Sequence, residues 1–389
     1  MTSEDRAPVD FGFGEEEEML RDLARKFLDE RIPVETLRQL VAPSPVPVYE
    51  QGEPPAWDRS VWEDLVELGW AGLAVEEKEG GAGVSMVGIA ALVEEVGRHA
   101  LPSPLLACLA CSLVLRSADS EVARRRLGQI AQGTPAALAI TPGDGSWEPE
   151  RSDIQARRVA GELTLDGTAH FVQDALKADF FVVTARLNDK LLLCTLPADA
   201  PGLSVEQNHI HDLTRDQATL RFRQVRVSPS SVVTDDGAEV LRRAWPSLLV
   251  LASADLCGSS EWQLQATVEY AKNRKQFDRP LGFFQAVKHP LVNAMVEIDR
   301  ARSLLYHAAS CIDAASVEAE KASRMAKSAA SDAGAFISDR SVQLHGGIGF
   351  TWESDVHIFF KRSLHGQVLW GDGIHHRKKL AEILIDRDG

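Results

Sequence analysis

A chain of 389 residues is too long for one ordinary hydrophobic core, so two or three domains are expected. Hydrophobic residues at 44% and charged residues at 25% are the composition of a globular protein, and a net charge of −15 argues against the basic face that nucleic acid would need. No apolar run is long enough to span a bilayer, the first residues carry no apolar signal region, and the scattered cysteines (Cys108, Cys111, Cys194, Cys257, Cys311) form no disulfide framework, so a cytoplasmic protein is expected.

In chain order, Phe13 to Phe27 reads as an amphipathic helix with Met19, Leu20, Leu23, Phe27 and Leu28 on its stripe. A proline-rich connector follows, Ala42 to Val48 and Gly52 to Pro55. The stretch Trp57 to Trp70 predicts a helix burying Val61, Leu65 and Leu68 and ending at Gly69. The glycine-rich Gly80–Gly83 lacks the Lys-Ser or Lys-Thr of a phosphate loop. Two further helices, about Met86 to Val96 and Leu105 to Gln132, complete an all-α unit over residues 1–135. Cys108-Leu-Ala-Cys111 lies in an apolar run and reads as core packing, and the eleven histidines show no metal-ligand spacing.

Near Thr134-Pro135 the period changes from helical to alternating. Leu163 to Leu165 alternates, Asp166-Gly167 signals a hairpin turn, and Phe180 to Val183 is a short apolar strand. Asn188-Asp189 signals another turn, and Leu220, Phe222, Val225 and Val227 mark a last strand of a β domain over residues 136–233. From Gly237 the chain is helical again. A helix carrying Leu264, Val268 and Ala271 should break at Pro280 and Gly282, and the next should bury Leu291, Met295, Ile298 and Leu305. Residues Ser323 to Phe336 are rich in Ala and Ser, whose small side chains permit the close helix approach of a bundle over residues 234–389.

Two segments carry a resemblance. Arg274-Lys-Gln-Phe-Asp-Arg-Pro-Leu-Gly-Phe-Phe-Gln-Ala-Val287 and Gln343-Leu-His-Gly-Gly-Ile-Gly-Phe-Thr-Trp-Glu353 resemble, in the right order, the two signatures of the acyl-CoA dehydrogenases. The resemblance implies an α+β multidomain fold: an N-terminal helical domain, a middle β domain and a C-terminal four-helix bundle. It also implies FAD as cofactor, an acyl-CoA thioester as substrate, an electron-transfer acceptor, and a dimer or tetramer of like or unlike chains. In such enzymes a base removes the Cα proton while a hydride leaves Cβ for the flavin.

By motif match, Arg274, Gln276 and Phe277 meet the FAD of a neighbouring subunit, with Arg274 on the pyrophosphate, and Gln343, Gly346 and Gly347 approach that same cofactor. The glycines also suit a helix-terminating turn. In the β domain, Ile140 to Ser146 is a degraded form of the family's flavin-contact segment, and Phe171-Val-Gln173 stands where the family usually has Trp-Ile-Ser or Trp-Ile-Thr. The usual catalytic Glu position falls on Trp370, which cannot act as a base, and the family's other base position falls near Leu248. Asp372 remains as a base, a turn residue or a cofactor contact. Asp255 remains as a base with a raised pKa or as a hydrogen-bonded core residue. The alternative is a subunit without turnover of its own, giving FAD contacts and structure to an unlike active chain, as in some bacterial sterol side-chain dehydrogenases.

Overall fold

A computed structural model of the chain describes residues 13–44, 46, 56–148, 150–159 and 162–385. Helices come first: α1 (Glu15–Arg31), α2 (Val34–Val41), α3 (Arg59–Glu67), α4 (Met86–Arg98), α5 (Leu105–Arg116) and α6 (Glu121–Ala131). The buried side of α1 is Ala24 and Leu28, with Leu20 and Phe27 half-buried, whereas the expected stripe members Met19 and Leu23 face solvent. In α3, Val61, Trp62 and Leu65 are buried, but the helix stops at Glu67 and leaves Leu68 exposed before Gly69 turns with φ 77°. The single helix expected over Leu105–Gln132 is two. Ser117 returns a hydrogen bond to the Leu113 carbonyl, and Ser120 caps the new helix by accepting from the Ala123 N–H, so the serines compete with the helical ladder. Part of the proline-rich connector, Pro45 and residues 47–55, lies outside the described residues.

The strands are β1 (Ala136–Ala139), β2 (Gln155–Val159), β3 (Glu162–Gln173), β4 (Phe180–Leu187), β5 (Lys190–Pro197), β6 (Leu203–Gln207), β7 (Gln217–Val227) and β8 (Val232–Thr234). They form one sheet in the order β6-β7-β3-β2-β4-β5-β8, with β1 parallel to β4. The turn expected at Asp166-Gly167 is instead a bulge inside β3. Gly167 has φ 135°, a Cβ there would overlap the Asp153 carbonyl oxygen, and the Asp166 carboxylate accepts the Gln224 N–H from β7. Asn188, at φ 54°, does turn the chain from β4 into β5.

The remaining helices are α7 (Gly237–Asn273), α8 (Gln285–Asp313), α9 (Ala319–His345), α10 (Val356–Val368) and α11 (Gly373–Ile385). The break after α7 comes earlier than Pro280. Phe277 and Asp278, at φ 52° and 58°, turn a two-residue hairpin pairing Lys275-Gln276 with Arg279-Pro280. Leu291, Ile298 and Leu305 of α8 are buried, but Met295 is exposed. Ala322, Ala326, Ala329, Ala330 and Ala333 bury one face of α9, which packs on α7, α8, α10 and α11. Glycines bring α4 onto α7: a Cβ on Gly97 would overlap the Asp255 carbonyl oxygen, and one on Gly258 that of Glu94. One hydrophobic core therefore runs through both helical regions, and a second fills the sheet.

Candidate active site

Where sheet and bundle face each other there is a cavity of about 240 Å³. Leu106, Ala107 and Ala110 of α5 supply one wall, Phe171 and Gln173 at the end of β3 another, and Trp147 and Trp370 add aromatic bulk. Two aromatic residues of the wall, Phe171 and Trp370, both have φ 56°. A bulky residue in the left-handed region costs about 1–3 kcal/mol, and such strain concentrates at functional sites. Among the described residues the wall holds no Asp or Glu, and its ionisable members are Arg215 and His365.

Beneath the wall lies a buried ionic network linking the loops before β4 and β7 to α7 and α10. Lys177 contacts Asp174 and Asp216 at 2.7 and 2.5 Å. Arg215 and Arg362 bind separate oxygens of Asp255 at 2.8 and 2.5 Å. Arg362 also donates to the Thr214 hydroxyl, which donates to Asp212 Oδ1, and Asp212 Oδ2 meets His365 Nδ1 at 3.1 Å. Burial by itself would raise the Asp212 carboxyl, but the hydrogen bond to His365 and the charges of Arg362 and Arg215 hold it well below the usual range.

Asp255 corrects an expectation. Burial would raise its pKa, as the sequence suggested, but Arg362 and Arg215 outweigh burial and lower it. With both oxygens engaged it is a structural anion, and it does not line the cavity. Asp372 is also absent from the cavity wall, and its Oδ1 accepts the His375 N–H as α11 begins. Leu248, at the other base position, is fully buried in α7. Trp370 does line the cavity, and its carbonyl lies 3.1 Å from His376 Nε2.

The remaining candidates gather at one end of the bundle. Tyr270, near the end of α7, stacks on His345 with ring centroids 4.3 Å apart, which sets the Arg274 hairpin beside the Gly346-Gly347 turn. Arg274, Gln276 and Gln343 are exposed, and Phe277 is 86% exposed. A Cβ on Gly346 or Gly347 would meet nothing within 4 Å in this chain, so internal packing does not require either glycine, although Gly346 has φ 64°. None of these residues lines the cavity, whereas Phe171 and Gln173 do.

The cavity fits the ring of a flavin. Its walls are apolar, and Gln173 Oε1 is buried without a hydrogen-bond partner, an acceptor suited to a ring-edge N–H. Composition alone did not pick out Trp147, Asp212, Arg215 or His365. The only signal for the last three was an unusual density of charge in Asp212–Asp216 and of basic residues in Lys361–His365.

Residues 14–134 match the family described as "Acyl-CoA dehydrogenase, N-terminal domain", and residues 248–385 match "Acyl-CoA dehydrogenase, C-terminal domain". The chain is 31% identical to acyl-CoA dehydrogenase IpdE2 of Mycobacterium tuberculosis over 80% of this chain and 81% of that protein. It is 25% identical to benzylmalonyl-CoA dehydrogenase of Aromatoleum aromaticum over 91% and 93%. A solved variant of the Tcur3481-Tcur3483 steroid ACAD superposes with TM-score 0.84 at 26% identity, covering 96% of this chain and 99% of that one.

Proposed function

Because the chain belongs to the acyl-CoA dehydrogenase family, we propose that the cavity between sheet and bundle is where it desaturates an acyl-CoA thioester between Cα and Cβ. Its cofactor is FAD, which supplies the acceptor for the hydride from Cβ. One observation carries the reading: positions matched to flavin-facing and base positions on separate elements, Phe171, Gln173 and Trp370, line a single cavity. Phe171 covers the ring, Gln173 holds its edge, and the apolar walls exclude water around the acyl group. Arg274, Gln276, Phe277, Gln343, Gly346 and Gly347 serve the cofactor of a neighbouring subunit, which their exposure permits. On this reading Asp372, whose carboxylate accepts the His375 N–H, serves as a turn residue or cofactor contact rather than as the base. The oligomer works in the cytoplasm and passes electrons to an electron-transfer protein.

A second reading is favoured by the absence of carboxylates among the described residues of the cavity wall and by the bulk of Trp370: this chain supports an unlike partner that brings the catalytic Glu. The similarity to a two-chain steroid ACAD supports it too. Anaerobic mixing of the FAD-loaded protein with acyl-CoA esters, including bulky steroid and aromatic ones, tests both. Flavin bleaching by the isolated chain supports the first reading. Bleaching only after a second chain is added supports the second, and the absence of flavin binding in any assembly overturns both.

A further inference from the structure

We propose that His365, oriented by Asp212, is the proton acceptor of this chain's cavity. The inference rests on the cavity being the acyl-CoA site. Among the described residues lining it, only Arg215 and His365 are ionisable, and a guanidinium does not give up its proton. An imidazole ring nitrogen can accept one, which leaves His365 as the candidate among them.

The geometry sets the tautomer. Asp212 is buried and anionic, and its Oδ2 lies 3.1 Å from His365 Nδ1, so the ring proton sits on Nδ1 and the lone pair on Nε2. Asp212 Oδ1 is itself fixed by the Thr214 N–H and hydroxyl, at 2.9 and 2.7 Å. Nε2 is buried and has no hydrogen-bond partner among the described residues. The buried network beside the ring joins Lys177, Arg215 and Arg362 with Asp174, Asp212, Asp216 and Asp255, and Lys361, one turn before His365 on α10, adds a fourth cation near Asp212.

The step is a proton transfer alone. The Cα–H bond of the thioester breaks, the proton forms an N–H bond at Nε2, and the electron pair stays with the substrate as its enolate. Asp212 is a positioning residue: it holds the ring and stabilises the imidazolium.

Phenylacetyl-CoA tests this step separately from oxidation, because its Cβ is a ring carbon without hydrogen and cannot lose hydride. In D2O the FAD-loaded oligomer should exchange its Cα protons, read by mass spectrometry. His365→Gln should slow the exchange by about 100-fold or more, with FAD content and circular dichroism unchanged. Added imidazole should restore exchange to His365→Ala, which a purely structural histidine would not allow, and Asp212→Asn should fall between the two. Exchange that survives in His365→Gln, or that is lost only in Asp372→Asn, overturns the proposal. A flavin spectrum that shifts on adding the probe, without exchange in the unaltered protein, overturns the proposal and leaves the site reading standing. Neither shift nor exchange overturns both. Independently of any variant, the ring ¹³C shifts of labelled His365 report its tautomer, and an Nε2–H form would overturn the assignment.

Discussion

At the scale of single residues, the two basic side chains with the clearest forecasts sit in opposite environments. Arg274 is exposed, and its guanidinium has no partner within this chain among the described residues. Its value should appear only when FAD is bound across a subunit boundary. Arg274→Ala should remove a charge-assisted contact of about 1.5–3 kcal/mol and weaken FAD about tenfold or more, read by fluorescence titration of the assembled oligomer. Unchanged affinity would remove the motif from the pyrophosphate. Lys327 is fully buried, and its Nζ lies within hydrogen-bond reach of the Ser331 hydroxyl and of the carbonyls of Gln367 and Gly371, linking the Trp370 turn to α9. Burial brings its pKa down to about 7, against the pull of Asp372 and Asp332. An unfolded lysine titrates near 10.4, so between about pH 7 and 10 the unfolded chain binds more protons and stability rises with pH. This one group should contribute a slope of about 1.4 kcal/mol per pH unit in that window. Lys327→Met should flatten the rise in thermal midpoint from pH 7 to 9.5, and an equally steep rise in the variant would contradict the assignment.

At the scale of elements, glycines divide into those the fold requires and those it leaves free. Gly97 and Gly258 stand where α4 and α7 touch backbone to backbone, and Asp255 of the ionic network lies at that crossing. Gly258→Ala should therefore push the helices apart and cost about 1–3 kcal/mol in denaturant unfolding, with Asp255 disturbed as well. Gly347 is the contrast, since a Cβ there meets nothing in this chain. Gly347→Ala should leave unfolding within about 0.5 kcal/mol of the parent yet weaken FAD if, as proposed, this turn faces the cofactor of a neighbouring subunit. A loss of stability without loss of FAD affinity would reverse this division.

At the scale of the whole molecule, the hairpin end of the bundle leaves Phe277, Phe283 and Phe350 exposed at 86, 57 and 72%. Exposed aromatics of this number near two cofactor motifs suit a subunit interface. The protein should be a dimer or tetramer, and light scattering that shows a flavin-bound monomer at micromolar concentration would contradict it. Among the described residues no helix is long and apolar enough to cross a membrane.

The order of helices, sheet and helices was legible in the sequence because the hydrophobic period changes from 3.6 to 2 and back, and period is a local property. The cofactor motifs were legible because their residue types are unusual at that spacing. Local signals failed where distant contacts decide. Asp166-Gly167 has turn chemistry, yet β7 and Asp153 hold it as a bulge within a continuous strand. Met19, Leu23 and Met295 have helical spacing but face away from the helices that pack beside them. Asp255 looked like a lone carboxylate in an apolar helix, and the sign of its pKa shift was set by Arg215 and Arg362, 40 and 107 residues away. The Asp212–His365 pair spans 153 residues and is invisible to any window along the chain. Burial and charge pairing are sums over neighbours in space, so only the tertiary structure fixes which ionisable group faces the cavity and which is consumed in holding it together.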